Sequence, residues 1–195
     1  FDTLTPPPHE QAAPDRFTRL TTTPTRDEYP SWNPTGHHIL YESRDPNGHY
    51  NLWLMQPDGT QPHQITHHQA AGWATWHPQG THIAYWASDT PNQGNIWIHD
   101  LTTGTNHQLT NHTLTAWPQW NPTGEWLAYQ AKNQNQDWSL HLHNPTTSQH
   151  INLHQTQDTL PSRPLWNPDG TQILYQSLAG SAFQLTRLTF PTTPD

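Results

Sequence analysis

Trp32-Asn33-Pro34-Thr35-Gly36 is the first of four copies of one short pattern. The other copies are Trp76-His77-Pro78-Gln79-Gly80, Trp120-Asn121-Pro122-Thr123-Gly124 and Trp166-Asn167-Pro168-Asp169-Gly170. Their tryptophans are spaced by 44, 44 and 46 residues. A fixed period of this size indicates a repeat architecture in which every repeat is one supersecondary unit.

Each repeat contains four short segments typical of β-strands. Within the pattern, proline fixes φ and glycine accepts a positive φ, which predicts a tight turn after a first strand. A second strand follows at Ile39-Leu40-Tyr41, a third at Leu52-Trp53-Leu54 and a fourth at Gln64-Ile65-Thr66. Such runs, rich in β-branched and aromatic residues, favour a sequential antiparallel sheet. Four strands in about 44 residues make one blade of a β-propeller.

The repeats therefore predict an all-β fold, a β-propeller of four blades with four antiparallel strands each. We expect a single propeller domain over residues 16–190, with a Pro-rich N-terminal extension at 1–15 and a C-terminal tail at 191–195. The blades are expected at about 29–66, 73–110, 117–153 and 163–190, and residues 16–21 are expected to complete the last one.

Residues 16–21 match a fourth strand that has no blade before it. They resemble the closing strands that end in Ile65-Thr66 and Leu109-Thr110, whereas the last repeat stops after its third strand. Pairing the two would close the ring and remove the open sheet edges. The alternative is that the missing strand, or further blades, come from another chain or from sequence that was cut away.

The repeated tryptophans and glycines are predicted to be structural. A blade cannot bury both faces of its sheet alone, so blades pack face to face and need large apolar side chains between them. The residues assigned to this repeat core are Trp32, Trp76, Trp120, Trp166, Gly36, Gly80, Gly124 and Gly170.

The full repeat resembles a known family. Pro-x-Trp-Asn-Pro-x-Gly, then Ile-Leu-Tyr, Leu-Trp-Leu, x-x-Gly-Thr and Ile-Thr are similar to the PD40 repeat of TolB-type, WD40-like β-propellers. The resemblance covers residues 16–190 and implies the propeller fold. It implies function only broadly, because this repeat serves scaffolds, lids over hydrolases and envelope proteins. Six blades are common in the family, so four would be a departure.

Composition excludes some partners. The net charge is −8 with histidine neutral, and seven Lys and Arg residues are scattered along the chain. This argues against a nucleic-acid surface and against binding to acidic lipid. No apolar run is long enough to span a membrane, so membrane association is expected only through a partner. The surface must be covered by Thr, Gln, Asn and His, which is common on secreted or envelope proteins. We therefore expect an extracytoplasmic location, whether periplasmic, secreted or at the cell surface.

The sixteen histidines suggest metal binding, but the pattern favours ordinary strand positions. His37-His38, His67-His68 and His141-x-His143 are the tightest sets, and the last pair would share one strand face. Trp53, Met55, Trp97 and His99 occupy the equivalent places in the first two repeats. No metal site and no cofactor are therefore predicted. With reference pKa values near 6.5, the histidines would raise the net charge from −8 toward +8 as pH falls from about 7 to about 5, which predicts pH-dependent association.

The sequence predicts no enzyme and no catalytic residues. It contains no cysteine, no Gly-x-Ser-x-Gly elbow and no Ser, His and Asp set with supporting context. Carboxylate pairs such as Asp27-Glu28 are usually solvated loop residues.

Loops on one face of the propeller are the expected partner-binding surface, because function on a rigid scaffold lies in its loops. The inner strands begin at Tyr29, Trp73, Trp117 and Arg163, residue types enriched at interfaces. The alternative is that these residues cap the core. The nearby loop residues assigned to the same surface are Arg26, Asp27, Glu28, Arg44, Asp45, His67, His68 and His112.

These observations favour a non-enzymatic propeller scaffold for protein–protein interaction, acting as an accessory or assembly subunit of an extracytoplasmic or envelope complex. The sequence also leaves open whether the protein forms a homo-oligomer. One alternative is a small-ligand or metal-binding propeller that uses the axial channel and the histidines. Another is a propeller fragment of a larger prolyl-oligopeptidase-like enzyme.

Overall fold

The structure is a computed structural model that describes residues 17–24, 26–91, 93–132, 137–155, 162–179 and 182–189. This part of the chain forms fifteen β-strands. In chain order they are β1 (Asp27–Trp32), β2 (Ile39–Arg44), β3 (Tyr50–Met55), β4 (His63–Gln64), β5 (Ala70–Trp76), β6 (His82–Ser88), β7 (Asn95–Asp100), β8 (Thr105–Gln108), β9 (Thr115–Trp120), β10 (Leu127–Lys132), β11 (Trp138–Asn144), β12 (Gln149–Gln155), β13 (Leu165–Trp166), β14 (Gln172–Ala179) and β15 (Ala182–Thr189). Within these residues, no helix has the length and apolar character needed to cross a membrane.

The strands pair into four sequential antiparallel sheets, which we call blades 1 to 4. Blade 1 has the order β1-β2-β3-β4, blade 2 β5-β6-β7-β8, blade 3 β9-β10-β11-β12 and blade 4 β13-β14-β15. The predicted all-β architecture of four repeated antiparallel units is confirmed. Blades 1 to 3 have the predicted four strands, and blade 4 has three among the described residues.

Apolar side chains fill the spaces between consecutive blades. Leu40 and Leu52 of blade 1 pack against Tyr85 of blade 2, and Leu140 of blade 3 packs against Tyr175 of blade 4. A similar cluster joins blades 2 and 3. The tyrosine that ends the Ile-Leu-Tyr or related run therefore faces the preceding blade in blades 2, 3 and 4. Burial on both faces is what a stacked sheet requires.

The repeated pentapeptide forms the predicted turn between the first two strands of each blade. In blade 1, the backbone N–H of Gly36 donates to the carbonyl of Asn33, and the N–H of Asn33 donates to the carbonyl of His38. Gly36 has a φ of 77°. Positive φ disfavours side chains with a Cβ, which explains why glycine recurs at this place.

The same turns also join neighbouring blades. Asn33 is buried, and its Nδ2 donates a hydrogen bond of 3.0 Å to the carbonyl of Gly80. His77 occupies the equivalent place one repeat later, and its Nε2 donates to the carbonyl of Gly124 at 3.0 Å. In blades 1 and 2, the residue after the repeated tryptophan therefore bonds to the turn of the next blade, whereas Asn121 of blade 3 bonds to Thr123 and Trp126 within its own turn.

Three of the four repeated tryptophans occupy the predicted core positions. Trp76 is 9% exposed and donates its indole N–H to the carbonyl of Ser31 in blade 1, and Trp166 donates in the same way to the inner strand of blade 3. Trp120 packs against the core between blades 2 and 3. The side chain of Trp32, in contrast, is 58% exposed among the described residues. Each of these indoles packs on the preceding blade, and no described blade precedes Trp32.

Blade 4 exposes the face that the other blades bury. Strand pairing makes Leu185 equivalent to Leu52, Ile96 and Leu140. Those three side chains are 0% exposed, whereas Leu185 is 79% exposed. Leu174 of the neighbouring strand is also exposed. The described residues place nothing against this face.

The predicted ring closure is not confirmed. Residues 17–21 form no strand, and β15 pairs with β14 alone among the described strands. Leu20 instead packs against Ile39, Tyr41 and Met55 of blade 1. Arg16, the predicted extension at 1–15 and the predicted tail at 191–195 lie outside the described residues.

Candidate functional site

The inner strands of the first three blades share an uncommon backbone. Strands β1, β5 and β9 each shift register against the next strand, as at a β-bulge. Tyr29, Trp73 and Trp117 lie at these shifts with φ values of 52°, 52° and 50°. A left-handed conformation costs a non-glycine residue about 1–2 kcal/mol. Three blades thus hold an aromatic residue in the same strained position.

These aromatic residues line one cavity, which we call the central cavity. Its volume is about 460 Å³, and Tyr29, Trp73, Trp117 and Arg163 all contribute to its wall. The Trp73 ring lies 5.1 Å from the Trp117 ring and 5.0 Å from the Trp86 ring, measured between centroids. Tyr29 is 71% exposed and Trp73 is 44% exposed. The structure therefore brings these four residues together. It corrects the predicted strand starts, because Tyr29, Trp73 and Trp117 lie inside β1, β5 and β9, and Arg163 precedes β13.

A buried carboxylate lies in the wall of the central cavity. Glu42 is almost fully buried, and its Oε1 accepts a hydrogen bond of 2.8 Å from the backbone N–H of Trp73. Burial raises the pKa of Glu42, the hydrogen bond from Trp73 opposes that shift, and the nearby Glu28 carboxylate adds to it. A Cβ on Gly72 would lie 2.8 Å from Glu42 Oε2. Gly72 is therefore required for the carboxylate to approach blade 2 this closely.

Blade 3 makes the same contact with a neutral residue. Gln130 is equivalent to Glu42 and is fully buried, and its Oε1 accepts the backbone N–H of Ser162 at 2.8 Å. The neighbouring Arg163 is exposed, and its Nη2 donates to Gln119 Oε1 at 3.0 Å. Arg163 thus presents its charge at the rim of the cavity and is oriented by blade 3.

The charged loop residues of blade 1 form a separate cleft. Arg26, Arg44 and Asp45 line a depression of about 360 Å³. Arg26 pairs with Glu28 at 2.9 Å, and Asp27 accepts a hydrogen bond from a threonine hydroxyl. Glu28 and Asp27 are thus engaged within blade 1. None of these five residues is among the described lining of the central cavity.

The three predicted histidines occupy different places. His67 is exposed in the connection between β4 and β5. His68 lies against blade 2, where its Nδ1 is 2.9 Å from Asp89 Oδ2 and its ring is 4.8 Å from that of Trp97. His112 lies against blade 3, beside other histidines. The predicted surface is therefore several sites rather than one.

Two features of the site were missed by the sequence reasoning. Glu42 follows Ile39-Leu40-Tyr41 directly. A charged residue at the end of an apolar strand was the feature of the sequence that could have indicated a buried carboxylate. The contact between His112, His141 and His150 had no such signal, because these residues come from separate segments. The spacing of His141 and His143 did indicate a shared face, and both rings lie within about 6 Å of His150.

The molecule has the architecture of a β-propeller, because its sequential antiparallel sheets are stacked face to face as blades. The model of the PD40 family, described as the TolB beta propeller domain, matches residues 11–157. The chain belongs to this family. A search of curated proteins finds no match.

Solved propellers are similar in fold. TolB from Acinetobacter baumannii has a TM-score of 0.69 at 20% identity, over 82% of this chain and 40% of that one. An oligogalacturonate lyase in complex with manganese has 0.67 at 20% identity, over 86% of this chain and 49% of that one. A prolyl endopeptidase has 0.66 at 15% identity, over 88% of this chain and 29% of that one. The chain thus spans less than half the length of these proteins. At such identities the likeness shows the fold alone, and the neighbours include both TolB and enzymes.

Proposed function

We propose that the protein is a non-enzymatic propeller scaffold that binds a protein partner at the central cavity. The observation that carries this proposal is the repeated display of Tyr29, Trp73 and Trp117. All three residues adopt a strained backbone at equivalent bulges, and their rings line one cavity. Aromatic side chains that stay solvent-accessible on a rigid sheet are typical anchors of protein interfaces.

The chemistry of the cavity favours a partner that inserts a long basic side chain. The neighbouring indoles of Trp73 and Trp117, inclined at 34°, offer faces for a cation, and the stem of a Lys or Arg side chain packs on the same rings. The whole chain carries fifteen acidic residues against seven Lys and Arg, so its field attracts a basic partner. The exposed Arg163 at the rim suits a carboxylate of the partner beside its basic residue.

Location and assembly belong to the same proposal. We propose an extracytoplasmic accessory or assembly subunit, whether periplasmic, secreted or on the cell surface. Two observations support this: membership of the PD40 family and the low content of charged residues, which make up only 11% of the chain.

Native mass spectrometry of the protein, purified from its source without denaturation, tests the proposal. We expect a complex with a second polypeptide. The double variant Trp73→Ala/Trp117→Ala should lose that polypeptide, whereas Trp32→Ala should keep it. Trp32 is the matched control because its exposed indole lies at the opposite end of β1 from Tyr29. A bare monomer, or a complex that the double variant retains, would contradict the proposal.

A further inference from the structure

We propose that His112, His141 and His150 form a binding site for one late first-row divalent transition-metal ion, with Zn²⁺ as its representative. We call these three residues the histidine site. Their candidate ligand atoms all lie within 4.8 Å of one another. The site lies where the connection from blade 2 meets strands β11 and β12 of blade 3, and it is separate from the central cavity.

The distances are close to those of a metal centre. His141 Nδ1 lies 2.9 Å from His150 Nε2. A tetrahedral ion with Zn–N distances of about 2.0–2.1 Å separates two ligand nitrogens by about 3.3–3.4 Å. The pair must therefore open by about 0.5 Å, and His112 must approach. His141 is buried and fixed, whereas His112 is half-buried and His150 is exposed, so the two outer rings can rotate toward it.

A second layer of hydrogen bonds prepares His141 as a ligand. Ser139 Oγ donates to the carbonyl of Ala131 at 3.2 Å, and it lies 2.7 Å from His141 Nε2. When Ser139 gives its single hydroxyl proton to Ala131, the serine oxygen accepts the N–H of His141 Nε2. The lone pair of His141 then lies on Nδ1, the atom that faces His150. Metal-binding histidines are oriented by this kind of partner on their other nitrogen.

The equivalent place in blade 2 lacks two of the three ligands. His68 corresponds to His112, since each donates its backbone N–H to the asparagine Oδ1 of the preceding third strand. Strand pairing places Trp97 where blade 3 has His141, and Asn106 where blade 3 has His150. Blade 3 therefore differs from blade 2 by a histidine in each of two neighbouring strands, and both histidines lie beside His112.

The surroundings suit a borderline ion with nitrogen ligands. The three histidines line a cleft of about 420 Å³ together with Ser139, Lys132 and neutral polar residues. The Lys132 ammonium lies over the Trp138 ring, 5.6 Å from its centroid. This volume leaves room for water as a fourth ligand. Imidazole suits Zn²⁺, Cu²⁺ and Ni²⁺, whereas Ca²⁺ and Mg²⁺ need oxygen ligands, mainly carboxylates and carbonyls. The described lining of the cleft contains no carboxylate.

Isothermal titration of the metal-free full chain with Zn²⁺ tests the proposal. We expect one ion per chain. His150→Asn, which installs the residue of blade 2, should weaken binding more than tenfold, as should His112→Asn. His107→Asn is the matched control, because it removes an exposed histidine from the fourth strand of blade 2 and should leave the affinity unchanged.

Two further measurements guard against weak binding by other histidines and against misfolding. Co²⁺ in place of Zn²⁺ should give the intense visible absorption of a tetrahedral site, and His150→Asn should abolish it. Thermal unfolding without metal should show that His150→Asn and His112→Asn fold as the parent does, since neither side chain is fully buried. Equal affinities of the parent, His150→Asn and His107→Asn would overturn the proposal, as would binding of several ions with no single tight site.

Discussion

Asn33 Nδ2 donates a hydrogen bond of 3.0 Å to the carbonyl oxygen of Gly80, 47 residues further along the chain. This bond joins the turn of blade 1 to the turn of blade 2. The pentapeptides of blades 1 and 2 thus stabilise the contact with the next blade as well as the turn inside their own blade.

Alanine at Gly80 should destabilise the protein more than alanine at Gly36. Both glycines have a positive φ, so both substitutions cost about 1 kcal/mol through the backbone. A Cβ at Gly80 would also lie 2.8 Å from Asn33 Oδ1, whereas a Cβ at Gly36 has open space. We expect a loss of about 1 kcal/mol for Gly36→Ala and about 2–4 kcal/mol for Gly80→Ala, measured by urea unfolding. Equal losses would show that the turns do not carry the contact between blades.

Trp76→Ala and Trp32→Ala should differ although the two tryptophans are equivalent in sequence. Trp76 is buried against blade 1, and removing its indole should cost about 3–5 kcal/mol. Trp32 is largely exposed, and its removal should cost less than about 1 kcal/mol. Urea unfolding of both variants measures the difference. A large loss for Trp32→Ala would indicate that this indole is covered in solution.

Glu42→Gln should change how stability depends on pH. Burial raises the pKa of Glu42 above its ordinary value of 4.5, so the folded state keeps the proton more tightly than the unfolded state. The contribution of Glu42 to stability is then most favourable at low pH and falls as pH rises through the raised pKa. The variant retains an acceptor for the Trp73 N–H and loses this dependence. Its stability relative to the parent should therefore increase between about pH 4 and pH 8.

Unfolding by urea at several pH values tests the effect of Glu42→Gln. Glu125→Gln, the same change at an exposed position, is the control. A constant difference between parent and Glu42→Gln across this range would contradict the prediction.

His99→Met should make the protein less sensitive to mild acid. His99 is buried, burial lowers its pKa from 6.5, and its hydrogen bond to Asn106 opposes that shift only in part. The unfolded chain therefore binds a proton as pH falls below about 6.5, while the folded chain does not, and stability is lost in that direction. Methionine is the residue of blade 1 at this place, where Met55 is also buried.

The loss of unfolding free energy between about pH 7 and pH 5 should be smaller in His99→Met, by up to about 1.4 kcal/mol per pH unit. Asn106 keeps its hydrogen bond from the Tyr85 hydroxyl in the variant. The control His107→Gln changes an exposed histidine of the neighbouring strand. Identical pH profiles for His99→Met and the parent would contradict the prediction.

Burial of several described histidines also reduces the expected change of net charge with pH. Burial lowers the pKa of His38, His77 and His99, in addition to the histidine site and the adjacent His143. These groups stay neutral over part of the range in which free histidine gains a proton. The net charge therefore rises less than the composition alone indicates as pH falls from about 7 to about 5.

The sequence by itself determined the repeating unit. The spacing of the four tryptophans, the Pro and Gly turns and the short apolar strands predicted sequential antiparallel blades, and the structure has them. These features depend on chemistry within a few residues: φ preferences at the turn and the alternation of side chains along a strand. The repeat also indicated that Tyr29, Trp73, Trp117 and Arg163 lie near one another, because equivalent places in a repeat lie side by side around the propeller.

Only the tertiary structure decided what depends on a neighbouring blade. Trp32 carries the same local pattern as Trp76 yet is exposed, because burial is supplied by the preceding blade and not by the repeat itself. Residues 17–21 look like a closing strand, but their pairing depends on whether another blade lies within reach. The histidine site combines His112, His141 and His150 through strand register and loop path. The spacing of these histidines along the chain does not predict that they lie together, since their proximity arises from contacts between separate elements.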